Sequence, residues 1–342
     1  MLSGDNLLRI GERVDQLMTL DVPSRNVIHI LFPYARRKFP KPLALAAAEL
    51  LAQRVRSRDV VFIATGWPDR PQITPAIAET DGPPGAAALA RALHRGLGAV
   101  PFLFIEESLV PAMSRVTEAA GLRVLSPQEA IQAASSTAPI HAAAVLGFPP
   151  EVAAAKEKAP ELLAMYGPAA VIAIEKGGMN EQGKIHTSRG ADTTEHMAKI
   201  DYLMLEATRR GIATIGIGDG GNEIGMGVIR EGIRESIPFG DRCLCGCGGG
   251  IAPATITDAL VTAAISNWGA YGVAACLAAV LGRIDVFHTA EIEESILRAA
   301  AAASLIDGIT GYVEPSADGL PLTVHQAFVT VLRELVRQGL KK

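Results

Sequence analysis

Apolar positions in the first 58 residues recur at helical spacing. Leu7, Ile10, Val14, Leu17 and Met18 fall on one face of a helix predicted over residues 6–20. An alanine-rich stretch over 43–58 reads as a second helix, with Pro42 suited to its first turn. The prolines between them predict an irregular stretch over 23–42. From Val60 the pattern changes to short apolar runs alternating with helix-length segments, the signature of βαβ units. Strands are expected at 60–64, 100–105, 123–125, 143–146, 170–174 and 213–217. Several are continuous apolar runs, as strands covered on both faces should be. Helices are expected at 85–97, 109–120, 194–210, 257–281, 290–305 and 321–338. The predicted fold is α/β: a mostly parallel, doubly wound sheet flanked by helices, with an N-terminal helical segment. Residues 1–58 form that segment, packed on an α/β body of residues 59–342, and no internal repeat or low-complexity linker divides the chain.

Composition narrows this picture. The 342 residues are 49% hydrophobic, ample for a large core. Mean hydropathy of +0.25 raises the question of a membrane. The apolar runs are broken before the roughly 20 residues a span needs. No signal-like N-terminus is visible, so a cytoplasmic location is expected. Net charge is −4, and Arg36-Arg37-Lys38 is the basic cluster to consider. It makes a solvated face rather than a nucleic-acid groove. Of four cysteines, Cys243, Cys245 and Cys247 are bunched and Cys276 stands alone, which is no disulfide framework. The bunched three lack a second half and nearby histidines. They are expected to be small residues in a tight loop or strand rather than a zinc or iron site.

The chemistry concentrates where strands end. Thr214-Ile215-Gly216-Ile217-Gly218 runs into Asp219-Gly220-Gly221-Asn222-Glu223, a glycine-rich turn carrying two carboxylates and an amide. Earlier strands end in Thr65-Gly66 and in Glu175-Lys176-Gly177-Gly178. In an open parallel sheet these ends meet at one edge, where ligands bind. Glu175, Asp219, Asn222 and Glu223 are all oxygen donors, which suits Mg²⁺, Mn²⁺ or Ca²⁺. The plainer reading makes Asp219 a helix cap with Glu223 in the first turn. Gly216-x-Gly218-x-x-Gly221 matches the letters of a dinucleotide fingerprint, but Gly216 lies inside the strand and Asp219 would face the pyrophosphate. Asp81-Gly82-Pro83-Pro84-Gly85 opens a helix whose N-terminus offers N–H groups to an anion. Arg189 is a candidate clamp for a carboxylate. Asn267 and Trp268 interrupt an apolar helix, and Asp307 is a further candidate carboxylate. His186 and His196 flank the site without triad or ligand spacing.

Ala64-Thr65-Gly66, Glu79-Thr80-Asp81-Gly82-Pro83-Pro84-Gly85-Ala86, Ala173-Ile174-Glu175, Gly218 to Gly227 and Ser266-Asn267-Trp268-Gly269 are ordered blocks. In this they resemble the D-glutamate cyclase C-terminal domain family, from about Val60 to beyond Asp307. The resemblance implies a metal-dependent lyase acting on a small carboxylate-bearing metabolite, closing D-glutamate to 5-oxo-D-proline and water. On that reading Glu175, Asp219, Asn222 and Glu223 hold a divalent cation, Mn²⁺ or Mg²⁺ with Ca²⁺ a further candidate. Asp81 and Glu223 serve the chemistry, Asp81 as the base. Thr65, Gly66, Gly82, Gly85, Arg189, Asn267 and Trp268 surround the substrate. The expected partner is that metabolite, with no nucleic acid and no membrane, and a homo-oligomer is compatible. Two other readings stay open: a metal-dependent, phosphatase-like hydrolase of a small anionic metabolite, and a non-catalytic binding module.

Overall fold

Successive side chains of a strand point to opposite faces, and β1 (Val60–Thr65) shows what each face is for. Val61 and Ile63 enter one apolar cluster, whereas Phe62 and Ala64 enter another, and all four are fully buried. The computed structural model, which describes residues 3–138 and 140–341, places β1 in the middle of a seven-stranded sheet. The other strands are β2 (Val100–Ile105), β3 (Arg123–Val124), β4 (Ala142–Gly147), β5 (Ala170–Ile174), β6 (Ala213–Gly218) and β7 (Ala259–Thr262). Their order is β3-β4-β2-β1-β5-β6-β7, and every pairing is parallel. The chain first builds outward from β1 through β2, then returns to its other side with β5. That reversal is the switch point where the carboxyl ends of neighbouring strands open a crevice.

On one face lie α1 (Gly4–Met18), α2 (Ile28–Lys38), α3 (Leu43–Arg54), α4 (Pro83–Leu97) and α5 (Val110–Ala119). The other face carries α6 (Pro127–Ala133), α7 (Val152–Tyr166) and α8 (Ile200–Arg209). After α9 (Arg230–Ser236) the first face is completed by α10 (Ser266–Leu281), α11 (Ala290–Ala302) and α12 (Leu322–Leu340). A two-stranded antiparallel hairpin, β8 (Ser316–Ala317) and β9 (Leu320–Pro321), precedes α12. The α10 helix is buried along nearly its whole length, with α1, α3, α4 and α12 packed around it. Asp15 fastens the N-terminal helices together. Its carboxylate accepts from Leu43 N (2.7 Å) and Ala44 N (3.1 Å) at the start of α3, and burial pushes its pKa up to about 6.

The α/β class and parallel sheet agree with the sequence pattern, but several stretches differ, among them the helix expected at 194–210, which is a short 3-10 turn at Thr194–His196 followed by α8. Residues 23–42, expected to be irregular, contain α2 with Pro33 inside it. Leu31 and Ala35, one turn apart, are both fully buried, and that packing outweighs the lost hydrogen bond at the proline. The expected helix at 257–281 is β7 followed by α10. Both are continuously apolar, so periodicity could not separate them, whereas pairing with β6 does. The helices α6, α7 and α9 were not anticipated. No described helix is long and apolar enough to cross a membrane.

Candidate active site

The carboxyl ends of β1, β5 and β6 face one cavity of about 330 Å³, the size of a small-metabolite site. Glu175 follows β5 directly and has φ of +45°, in the left-handed region that side chains rarely occupy. Such strain persists where the surroundings over-determine it. Gly82 opposes it with φ of +97°, and a Cβ there would meet Glu175 Cβ and Thr65 Oγ1 at 2.8 Å, so only glycine lets the two segments approach. Lys176 points the other way, fully buried. It donates to Gly66 O (2.8 Å) and to the Glu106 carboxylate, tying the ends of β1, β2 and β5 together beneath the cavity.

The N-termini of α4 and α10 meet behind Asp81 and cap each other. Asn267 Oδ1 accepts from Gly82 N (3.0 Å) and Gly85 N (2.7 Å) at α4. Asp81 accepts from Ser266 N (2.9 Å) and Asn267 N (2.8 Å) at α10. Asp219 also accepts from Ser266 N (3.2 Å), and Ser266 Oγ donates to Glu175. Asp81, Glu175 and Asp219 thereby converge, each offering one oxygen within 4.8 Å of the others. Burial raises Asp81 and Glu175 well above the usual carboxylate range, and the mutual repulsion of these acids adds to it. One arginine, Arg25, offsets the charge of Asp219 alone among the three, and three buried hard oxygens this close together fit a small divalent cation.

The structure redistributes the residues named from sequence. Asp81, Glu175, Arg189, Asp219, Asn222 and Glu223 line the cavity. Glu223 does not join the carboxylate trio. Its two oxygens accept from the backbone N–H groups of Asp219 (3.1 Å), Gly220 and Gly221 (2.8 Å), so it braces the turn from within. Burial and Asp219 lift it to about 7. Asn222 Nδ2 donates to His186 O (2.8 Å). No helix starts at this turn, so the capping reading of Asp219 does not apply.

The remaining expected substrate contacts lie away from the cavity wall. Thr65 is buried with Oγ1 unpartnered, Gly66 engages Lys176, and the N–H groups of Gly82 and Gly85 are already taken by Asn267. Trp268 stacks on Phe328 at 4.1 Å inside the core. Asp307 binds the N–H groups of Ile309, Thr310 and Gly319, folding the loop that presents Asp318.

Three lining residues had no sequence signal as a group. Arg25, from the N-terminal segment, forks onto Asp219 (Nη1 3.0 Å, Nη2 3.1 Å) and also reaches Asp318. Burial and Asp219 push Asp318 up to about 8. Glu79 faces the cavity, held well above its ordinary value by burial and by Asp318 and Asp81.

The family model described as D-glutamate cyclase-like, C-terminal, matches residues 14–333. The chain belongs to this family. The match begins inside α1 rather than near Val60, so the D-glutamate cyclase-like region includes the segment that supplies Arg25. The mitochondrial D-glutamate cyclase of Homo sapiens is 29% identical over 265 residues, 77% of this chain and 38% of that protein. The chain thus spans well under half the length of this D-glutamate cyclase.

Proposed function

We propose that the chain is a divalent-metal-dependent lyase that closes D-glutamate to 5-oxo-D-proline with release of water. The observation that carries this reading is the convergence of Asp81, Glu175 and Asp219 on one point of a metabolite-sized cavity, in a chain of the D-glutamate cyclase-like family. Bound there, Mn²⁺ or Mg²⁺ supplies Lewis-acid polarisation of a carboxyl oxygen.

The proton balance assigns work to the remaining acids. Joining an ammonium to a carboxylate as an amide removes two protons from nitrogen, and both leave with one carboxylate oxygen as water. The site therefore needs a group that takes a proton at neutral pH and gives it back nearby. Asp81, read from sequence as the base, sits among the ligands. Glu79 lies on the same wall outside that trio, and burial with the neighbouring acids raises it towards the protonated form, which suits a group that hands a proton to the departing oxygen. Arg189 faces the α-carboxylate of the substrate, and Arg25 keeps Asp219 and Asp318 oriented.

The test is a proton NMR time course of metal-stripped protein with D- and with L-glutamate, before and after adding Mn²⁺ or Mg²⁺. Formation of 5-oxoproline from the D-form only, and only with metal, is the expected result. No lactam from either enantiomer with metal present sinks the reading. Phosphate release from a panel of esters would then favour the hydrolase, and binding without turnover the non-catalytic module.

A further inference from the structure

Cys243, Cys245 and Cys247 alternate along one loop whose glycines Gly246 and Gly248 have φ of +77° and +76°. Those left-handed residues curl the chain so that the sulfurs gather. Cys243 Sγ lies 3.5 Å from Cys245 Sγ and 3.2 Å from Cys247 Sγ. A histidine that the sequence spacing did not connect to them completes the group. His186 Nε2 is 3.2 Å from Cys245 Sγ and 3.9 Å from Cys247 Sγ, and all four donor atoms lie within 4.8 Å of one another. The imidazole is fully buried, and the partners of its ring nitrogens are sulfurs alone, with Nδ1 unpartnered.

Tetrahedral zinc has Zn–S near 2.3 Å and Zn–N near 2.0 Å, which sets donor-to-donor edges of about 3.6–3.8 Å. The four atoms already sit within a few tenths of an ångström to about one ångström of that figure. Asn180 Nδ2 (3.5 Å) and Gly249 N (3.4 Å) both donate to Cys247 Sγ, the kind of outer contact that supports a charged thiolate ligand. Soft sulfur and imidazole donors select zinc over the hard cations suited to carboxylates.

We propose that His186, Cys243, Cys245 and Cys247 form a closed structural Zn²⁺ site, separate from the carboxylate cavity. A closed set of four protein ligands holds structure rather than activating water. What it holds is the wall of the cavity. Thr187, Ser188 and Arg189 follow His186 directly and line that wall. Asn222 of the acidic turn grips His186 O, and Leu244 N, between two of the cysteines, donates to Gly190 O (2.9 Å). Zinc at this point staples the 243–247 loop to the segment that presents Arg189.

The test is the metal content of the whole 342-residue chain produced with zinc and purified under reducing conditions. One zinc per chain is expected in the wild type and in Glu175→Gln, and close to none in Cys243→Ser or Cys247→Ser. Cobalt exchanged into the wild type should give the intense sulfur-to-metal charge transfer and visible bands of a tetrahedral thiolate site. This reading does not depend on any variant folding. Cys245→Ser, at an exposed position, should yield its zinc to a chelator at least about tenfold faster. Folded, fully reduced wild type that retains no zinc and shows no thiolate cobalt spectrum overturns the proposal. So does a disulfide among the three cysteines in protein whose thiols were blocked before lysis.

Discussion

The carboxylate cavity and the cysteine–histidine cluster border the same segment, residues 186–192, yet they are assembled by opposite means. Asp81, Glu175 and Asp219 come from three segments far apart in sequence: Glu175 and Asp219 follow neighbouring strands of the parallel sheet, and Asp81, before α4, is held to them by the start of α10. Three of the four soft donors come from five consecutive residues, and glycine-permitted curling brings them together. One site inherits its geometry from the fold, the other mostly from a single loop that the fold sets against His186. The first must therefore tolerate strain and repulsion, seen in the φ of Glu175 and in the raised acids, whereas the second costs the sheet nothing.

The sharpest way to separate the two is Glu175→Gln. It preserves size and the contact from Ser266 Oγ but removes one charge of the trio. Turnover is expected to fall by at least about a hundredfold, since Lewis-acid stabilisation is worth several kcal/mol, while zinc content stays at one per chain. Unchanged turnover on purified D-glutamate would dissolve the catalytic half of the comparison. Loss of zinc together with turnover would mean that the two regions are one unit.

Next in size is Cys247→Ser. Removing a ligand that also accepts from Asn180 and Gly249 should lower the melting temperature by several degrees, as loss of a tightly bound metal does. The effect on catalysis should be indirect. KM should rise as the Arg189 wall loosens, with kcat changed much less, which steady-state kinetics reads directly. A fall in kcat matching that of Glu175→Gln would contradict a purely structural role.

The sites should also respond to pH in opposite senses. Asp318 (about 8) and Glu223 (about 7) have folded-state pKa values raised by burial. Such acids bind more protons folded than unfolded. Their contribution to stability is complete below the unfolded value, near 4, and is lost as pH rises through the folded one. Metal-stripped wild type should therefore lose melting temperature relative to Asp318→Asn as pH goes from about 4 to about 8, and Mn²⁺ should restore more at the upper end. Thiolate and imidazole ligands bind metal only when deprotonated, so zinc should be released as pH falls. Melting curves with and without each metal across that range test both signs. A stripped wild type that gains on Asp318→Asn towards pH 8 is incompatible with the first.

The same contrast explains what could be read from sequence. Strand ends in a parallel sheet must share an edge, so Glu175 and Asp219 were legible as neighbours from the apolar runs before them. Asp81 follows a loop after β1, and its place with the ligands depends on the start of α10. That start was hidden because β7 and α10 merge into one apolar stretch. Glu223 looked like a ligand because nothing local reveals that three backbone N–H groups turn inward to it. Arg25 was illegible for a different reason, since a lone arginine before a helix has no pattern, and its role exists only through the packing of α2 against the body. His186 and the cysteines carried a spacing signal on one side only. The 56 residues between His186 and Cys243 are closed by tertiary structure, not by a motif.

The smallest effect concerns where the cavity stops. Asn267 caps α4 behind Asp81, and Trp268, one residue further along α10, is turned into the core. Its Nε1–H donates to His325 Nδ1 (3.1 Å), and its ring stacks on Phe328. His325 in turn offers Nε2 to Ala317 O (3.3 Å) and Leu320 O (3.2 Å), which fixes the neutral tautomer with a proton on Nε2 and an acceptor at Nδ1. Burial depresses the His325 pKa and favours that neutral form. Trp268→Phe keeps the stack and removes the donor, leaving Nδ1 buried and unsatisfied at a cost of about 1–3 kcal/mol. Chemical denaturation should show that loss, with KM for the substrate unchanged. A shift in KM with stability intact would instead put the indole against the substrate and extend the cavity past Asn267.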